Sequence, residues 1–134
     1  MTGEFRAPAG SAGHYVYQMF GERDWRTLHD LLVFADRAER LVARGKEAYD
    51  ADEMLRYAGQ MICISVGEGA TRLSDALLDA HPEIRFRLMR KQRNFAAHRY
   101  EMVDPEIIWE TLATSFPEDK AKIAALLERP APSA

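Results

Sequence analysis

The sequence predicts an all-α protein, an antiparallel bundle of four helices with a short extra C-terminal helix. Apolar residues recur at spacings of three and four, no stretch alternates with period two, and no Asn-Gly or Asp-Gly hairpin signal occurs. The chain has 134 residues, of which 47% are hydrophobic and 29% charged. This composition suits a single domain with a self-supporting core.

The first two helices are predicted from their apolar spacing. Helix one begins at Asp24, directly after a segment in which glycine and proline interrupt any period. Helix two opens with Asp50 and Glu53 as a capping pair and ends near Ala80, because Pro82 disfavours helical geometry at the residue before it. Residues 1–23 are therefore predicted as an N-terminal tail or extension.

The later elements are predicted from proline positions. Pro82 and Glu83 suit the first turn of helix three. Asp104 and Pro105 form an N-cap and N1 pair for helix four, and Pro117 is expected to restart the chain into the short terminal helix. Residues 24–128 then form one helical domain, and residues 129–134 form a C-terminal tail.

Several classes of protein are disfavoured. The lone cysteine, Cys63, cannot form an internal disulfide, so a cytoplasmic location is expected. No apolar run approaches the roughly 18 residues that a membrane span requires. No metal-ligand spacing and no nucleotide-binding or serine nucleophile motif is found, so we expect no metal and no cofactor.

The net charge of −3 is the sum of two regions of opposite charge along the chain. Residues 85–100 contain no acidic residue and six basic ones, which are Arg85, Arg87, Arg90, Lys91, Arg93 and Arg99. The remainder has 12 basic and 21 acidic residues, or −9, and −9 plus +6 returns −3. An anionic partner such as RNA or DNA would relieve the mutual repulsion of these cations. The alternative is that acidic residues of neighbouring helices neutralise them.

Three residues in this basic segment have the chemistry that phosphodiester cleavage requires. Arg93 supplies a fixed cation, His98 an imidazole for proton transfer, and Asn94 an amide that can orient one of them. On an ideal helix five residues place Arg93 and His98 about 140° apart. Either the helix ends or bends near Ala97, or a second protomer brings its own arginine and histidine across a two-fold axis.

The string from Arg93 to Tyr100 resembles the Arg-x4-His-x-Tyr signature of HepT-like toxins, minimal members of the HEPN superfamily of ribonucleases. The flanks are similar as well, over about residues 25–128. They are Val66-Gly67-Glu68-Gly69-Ala70, His81-Pro82-Glu83-Ile84, and Val103-Asp104-Pro105 with Trp109. Two positions depart from the family pattern, at Gly69 and at Arg85-Phe86. Glu68 is either a buried polar anchor or a site carboxylate, and the small residues beside it favour the structural role.

The resemblance implies a metal-independent endoribonuclease that acts as the toxin of a HepT/MntA-type (type VII) toxin-antitoxin system. Arg93 and His98 would be catalytic, with Asn94 in support. The protein would be a homodimer in which the motifs of both protomers line a cleft at the interface. We expect Arg90, Lys91 and Arg99 to bind RNA phosphates. Tyr100 matches the tyrosine that an MntA-like nucleotidyltransferase antitoxin modifies with AMP. The alternative is a non-catalytic helical module that binds a nucleotidyltransferase or nucleotides.

Overall fold

The elements follow one another as helices with short connections. The computed structural model describes residues 14–132, and within that range no β-strand occurs, which confirms the predicted all-α class. The α-helices are α1 (His14–Phe20), α2 (Glu22–Val42), α3 (Lys46–Ala51), α4 (Glu53–Thr71), α5 (Asp75–Ala80), α6 (Phe86–His98), α7 (Pro105–Glu110) and α8 (Phe116–Glu128). A 3-10 turn (Tyr100–Met102) precedes α7, and a π-helical turn (Thr111–Ser115) joins α7 to α8.

The bundle is organised around α4. This helix packs against α6 on one side and α2 on the other, and α2 packs in turn against α8. The largest fully buried side chains come from several elements, and they include Tyr49, Phe86, Leu28, Leu77 and Leu112. None of the helices in the described range is both long enough and apolar enough to cross a membrane.

The predicted helix two is in fact three helices, α3, α4 and α5, which corrects its start, while the last of them ends at Ala80 as expected. Asp52, not Asp50, caps α4, since its Oδ1 accepts a hydrogen bond from the Met54 N–H at 2.8 Å. Ser74 caps a separate helix α5, and the buried Asp24 of α2 accepts bonds from the backbone N–H and the hydroxyl of Ser74. The break depends on this contact with α2, which local spacing does not reveal.

Helix three begins later than predicted, at Phe86 instead of Pro82. The intervening residues form a turn with Ile84 buried. His81 holds this turn, because its Nε2 bonds the Tyr15 hydroxyl at 2.9 Å and its Nδ1 bonds Glu83 at 3.1 Å. Side-chain contacts across the bundle therefore override the favourable proline position.

Helix four begins as predicted and then continues further. Asp104 Oδ1 accepts from the Glu106 N–H at 2.9 Å, and Pro105 occupies the first turn. Pro117 does not restart the chain, which is a correction: helical backbone runs from Pro105 to Glu128. The π-helical turn, closed by the Phe116 N–H on the Thr111 carbonyl, changes the hydrogen-bond register beside the proline, which has no N–H to donate.

Helical structure also extends into the segment that was predicted as an N-terminal tail. Helix α1 packs on α2 and α8 with Tyr15 and Val16 buried, and the Tyr15 N–H donates to the Arg129 carbonyl at 3.3 Å. Gly21, with φ of +98°, makes the turn between α1 and α2. Residues 1–13 and 133–134 of the two predicted tails lie outside the described residues.

The closest approach between helices lies where α6 crosses Gly67 of α4. A Cβ built on Gly67 would stand 2.0 Å from the Arg93 Cβ and 2.6 Å from the Met89 carbonyl oxygen. Both obstacles are backbone or the first carbon of a side chain, so neither can move without shifting α6. Only glycine permits this crossing.

We expect Gly67→Ala to lower the free energy of unfolding by about 3 kcal/mol, because the added methyl forces the two helices apart. Gly69→Ala is the matched control. Its Cβ would meet the Leu31 Cδ2 at 2.6 Å, and that methyl can rotate away. Urea unfolding of both variants measures whether Gly67→Ala loses more unfolding free energy than Gly69→Ala. Equal losses at the two glycines would contradict the close crossing.

Candidate active site

Helix α6 and the turn after it carry all of the predicted catalytic and modification residues. Arg93 and Asn94 lie within α6, and His98 is its last residue. Arg99 leaves the helix with φ −131° and ψ 42°, and Tyr100 opens the 3-10 turn. The helix thus ends directly after His98, which places the imidazole at a helix terminus with its side chain exposed.

Arg93 is held by two acceptors. Its Nε donates to Glu68 Oε1 at 2.9 Å, its Nη2 donates to the same oxygen, and its Nη1 donates to Asn94 Oδ1 at 3.0 Å. The Arg93 side chain keeps 27% of its surface exposed, and the Glu68 side chain keeps 43%. Arg93 is therefore oriented while still open to solvent.

Glu68 is the residue that sequence reasoning assigned mainly to packing. The structure places it against Arg93, where it fixes the guanidinium directly. The signal was present in its neighbours: Gly67 lets α6 approach so closely that a carboxylate one position later reaches the arginine. A glutamate beside a glycine at a helix crossing therefore indicates a partner on the facing helix.

Within the described residues, no hydrogen bond joins Arg93 to His98. Neither His98 nor Tyr100 bonds a described side chain, and Tyr100 is 65% exposed. One chain therefore presents an oriented cation and an accessible imidazole without a hydrogen bond between them.

Most cations of the basic segment form ion pairs within the chain, several of them at the surface, as the alternative interpretation of the charge pattern expected. Four of its six cations have a carboxylate partner on a neighbouring helix. The pairs are Arg85 with Asp119 and Glu118, Arg87 with Asp79, Arg90 with Asp75, and Arg93 with Glu68. The charge that faces solvent is therefore much smaller than +6.

Arg90 has a structural position that its predicted role in phosphate binding did not anticipate. Its Nε donates to the Ala70 carbonyl and its Nη2 to the Leu73 carbonyl, each at 2.9 Å, so it caps the C-terminus of α4. Lys91 and Arg99 differ, because neither pairs with a carboxylate among the described residues, although Arg99 Nη1 contacts the Met102 sulfur at 3.7 Å. These two are the available cations near the motif.

Large apolar side chains are exposed around the same elements. Of the ten in the described range, eight lie on α4, α6, the 3-10 turn or α7, and we call them the apolar surface: Met54, Tyr57, Met61, Leu88, Phe95, Tyr100, Met102 and Ile107. A cleft of about 270 Å³ opens between Leu88 and Phe95 of α6 and Ile107 of α7. This concentration of exposed apolar side chains on neighbouring elements favours a binding role for them.

Cys63, which lines this cleft, does not have the chemistry of a nucleophile. Burial raises the pKa of the Cys63 thiol to about 12, so it stays protonated at neutral pH. Among residues 14–132, no group of three histidine, cysteine, aspartate or glutamate side chains could hold a metal ion.

The fold and this constellation define a HEPN-like helical bundle, with an arginine and a histidine on one helix. The family model described as ribonuclease HepT-like matches residues 31–126, most of the chain, and the protein belongs to this family. Searches of curated proteins and of solved structures gave no match. The family assignment agrees with the resemblance in the Arg93 to Tyr100 motif.

The cap that Arg90 provides leads to a test. We expect Arg90→Gln to lower the free energy of unfolding by about 2 kcal/mol, because two helix-end carbonyls lose a charged donor. Lys91→Gln, one position along the same helix, should change it by less than about 0.5 kcal/mol. Thermal unfolding of both variants measures the difference. Similar stability for the two would contradict the capping role.

Proposed function

We propose that this protein is a metal-independent endoribonuclease and the toxin of a HepT/MntA-type toxin-antitoxin system. The observation that carries the proposal is the orientation of the Arg93 guanidinium by Glu68 and Asn94. Arg93 lies on α6, the helix that ends in the exposed His98. Membership of the HepT-like ribonuclease family supports the reaction class.

In the proposed reaction, the 2′-oxygen of a ribose attacks the adjacent phosphorus and the 5′-oxygen leaves. One proton must be taken from the 2′-hydroxyl, and one must be given to the leaving oxygen. Imidazole suits both tasks near neutral pH. Arg93 stabilises the extra negative charge on the phosphoryl oxygens, since three of its five N–H groups are used by Glu68 and Asn94 and two stay available.

We infer that the working site combines two protomers. The reaction needs two proton transfers, while each chain contributes one histidine to the motif. Arg93 and His98 of one chain are not bonded to each other, and the helix and turn that carry the motif also carry Leu88, Phe95, Tyr100 and Met102 of the apolar surface. A homodimer that buries the part of this surface on α6 and α7, and leaves Tyr57 and Tyr100 open, would bring a second pair of motifs to the same cleft. Lys91 and Arg99 would then bind neighbouring phosphates.

The proposed antitoxin action depends on Tyr100. Its side chain is 65% exposed and stands two residues after His98. A nucleotidyltransferase could therefore reach the hydroxyl, whose oxygen would attack the α-phosphorus of ATP and release pyrophosphate. Each added adenylate places an anion beside the phosphate-binding groups and repels RNA.

The central test is His98→Ala. We expect the purified protein to cut RNA in the presence of a chelator and the variant to lose this activity by at least about 100-fold, because proton transfer is lost. His29→Ala is the matched control, since His29 is an exposed histidine on α2 that bonds the Trp25 carbonyl. Circular dichroism checks the fold. Full activity in His98→Ala would overturn the catalytic assignment and favour a non-catalytic binding module.

Mixing variants tests the composite site. The His98→Ala protomer should be inactive alone. A mixed dimer of one wild-type and one His98→Ala protomer keeps a single His98, so if both histidines serve one site we expect this dimer to be inactive as well. Cleavage assays after refolding the mixture measure this, with light scattering for mass. A verified mixed dimer that keeps about half of the wild-type activity, or a monomeric mass, would argue against the composite site.

Tyr100 modification is tested with the cognate nucleotidyltransferase and ATP. We expect the intact mass to rise in multiples of AMP, with the added mass on Tyr100, and RNA cleavage to fall in parallel. Tyr100→Phe should keep its mass because it offers no hydroxyl. An unmodified Tyr100 after this incubation would count against the antitoxin proposal while leaving the nuclease proposal intact.

A further inference from the structure

A second cleft, of about 290 Å³, lies between α4 and the 3-10 turn after α6. Its lining includes Tyr57 and Gln60 from α4 and Tyr100 from the turn. Glu53, Arg56 and Glu101 supply charged groups to the same lining. Apart from Tyr100, the active-site proposal assigns no chemistry to these residues. The volume is at the lower end for a ligand pocket and suits one flat ring system.

We propose that this cleft binds a single nucleobase of the RNA, next to the phosphate that is cut. The proposal rests on the ribonuclease function and adds a subsite that selects the base. Proteins that read single-stranded RNA turn a base out, stack it on an aromatic side chain and bond its edge. The cleft contains groups for both tasks.

Two tyrosines provide the stacking surface. Tyr57 is 57% exposed and Tyr100 is 65% exposed, and both line the cleft. Such exposure is unfavourable for large rings in an unliganded protein, and a nucleobase would cover them. Tyr49, deeper in the same lining, is fully buried and donates to the Pro105 carbonyl at 2.9 Å, so it forms a fixed floor.

The charges in the cleft favour a base over a phosphate. Glu53 and Glu101 place two carboxylates there against one cation, Arg56, whose Nη1 already donates to the Asp50 carbonyl at 2.6 Å. Carboxylates repel phosphate but accept N–H groups. Guanine presents an imino N–H and an amino group side by side, whereas uracil presents one N–H between two carbonyls. We therefore expect the cleft to prefer guanine over uracil.

The position of the cleft connects it to the proposed catalytic residues. Gln60 Nε2 donates to the Ala96 carbonyl at 3.3 Å, two residues before His98. Tyr100 follows His98 by two residues on the other side. The lining thus includes Gln60, which is bonded to the last turn of α6, and Tyr100, which lies in the turn after it. A base held here belongs to a nucleotide adjoining the reacting phosphate.

The test uses DNA oligonucleotides that contain one ribonucleotide, so that each has a single cleavable bond. The base on either side of that bond is varied among the four, or removed. We expect wild type to prefer guanine over uracil by about 10-fold in kcat/KM at one of the two positions. Tyr57→Ala should lose about 10-fold on the preferred substrate, a typical effect of removing one stacking ring. On the abasic substrate it should equal wild type.

Tyr57→Phe keeps the ring and should stay within about 2-fold of wild type. Val33→Ala, a truncation of an exposed apolar side chain on α2, controls for general loss of surface packing. Thermal unfolding verifies that each variant folds. Equal cleavage of all four bases by wild type, or an unchanged Tyr57→Ala, would overturn the proposal and leave the nuclease function standing.

If wild type cuts none of the substrates, the nuclease proposal fails. The base-binding proposal for the cleft is then tested by binding measurements alone. Fluorescence anisotropy with the same oligonucleotides, made entirely of deoxyribose, then measures affinity. A guanine preference that disappears in Tyr57→Ala supports the base site. Affinity that is independent of the base, or unaffected by the variant, overturns it.

Discussion

The contact between α4 and α6 at Gly67 is the constraint on which the site depends. Since glycine has no side chain, the Arg93 Cβ can lie directly over α4. The guanidinium then meets Glu68, one residue further along the same helix. The same packing brings Gln60 to the Ala96 carbonyl and so fixes the end of α6. A larger residue at position 67 would displace every one of these contacts.

The basic segment stabilises the fold through contacts with neighbouring helices. Arg85 joins α6 to α8 through Asp119, and Arg90 closes the end of α4. Ion pairs that are partly buried cost desolvation, but they leave few cations unbalanced. Within residues 85–100, the cations without a carboxylate partner among the described residues are Lys91 and Arg99, and Arg93 keeps an open edge. RNA affinity should therefore depend on stacking and on a second protomer, and less on a general basic field.

Local sequence signals predicted those parts of the fold that local forces determine. Asp104 caps α7 as expected, because an aspartate before Pro-Glu satisfies a free N–H in any surroundings. The break before Ser74 was missed because it depends on Asp24, 50 positions away in the chain. The turn at His81 was missed for the same reason, since Tyr15 lies 66 positions away. Favourable periodicity continues through both breaks because the short helices share one core.

The candidate site divides in a similar way. The sequence alone contained the residues of the proposed chemistry, in the order Arg93, Asn94, His98 and Tyr100, since residue types and spacing are local properties. It could not specify which cations are free, because their partners lie on other helices: Glu68 is 25 positions from Arg93, and Asp119 is 34 from Arg85. Only packing brings such distant charges within hydrogen-bond distance. The tertiary structure thus decided that Arg90 stabilises a helix end and that Glu68 orients the arginine of the motif.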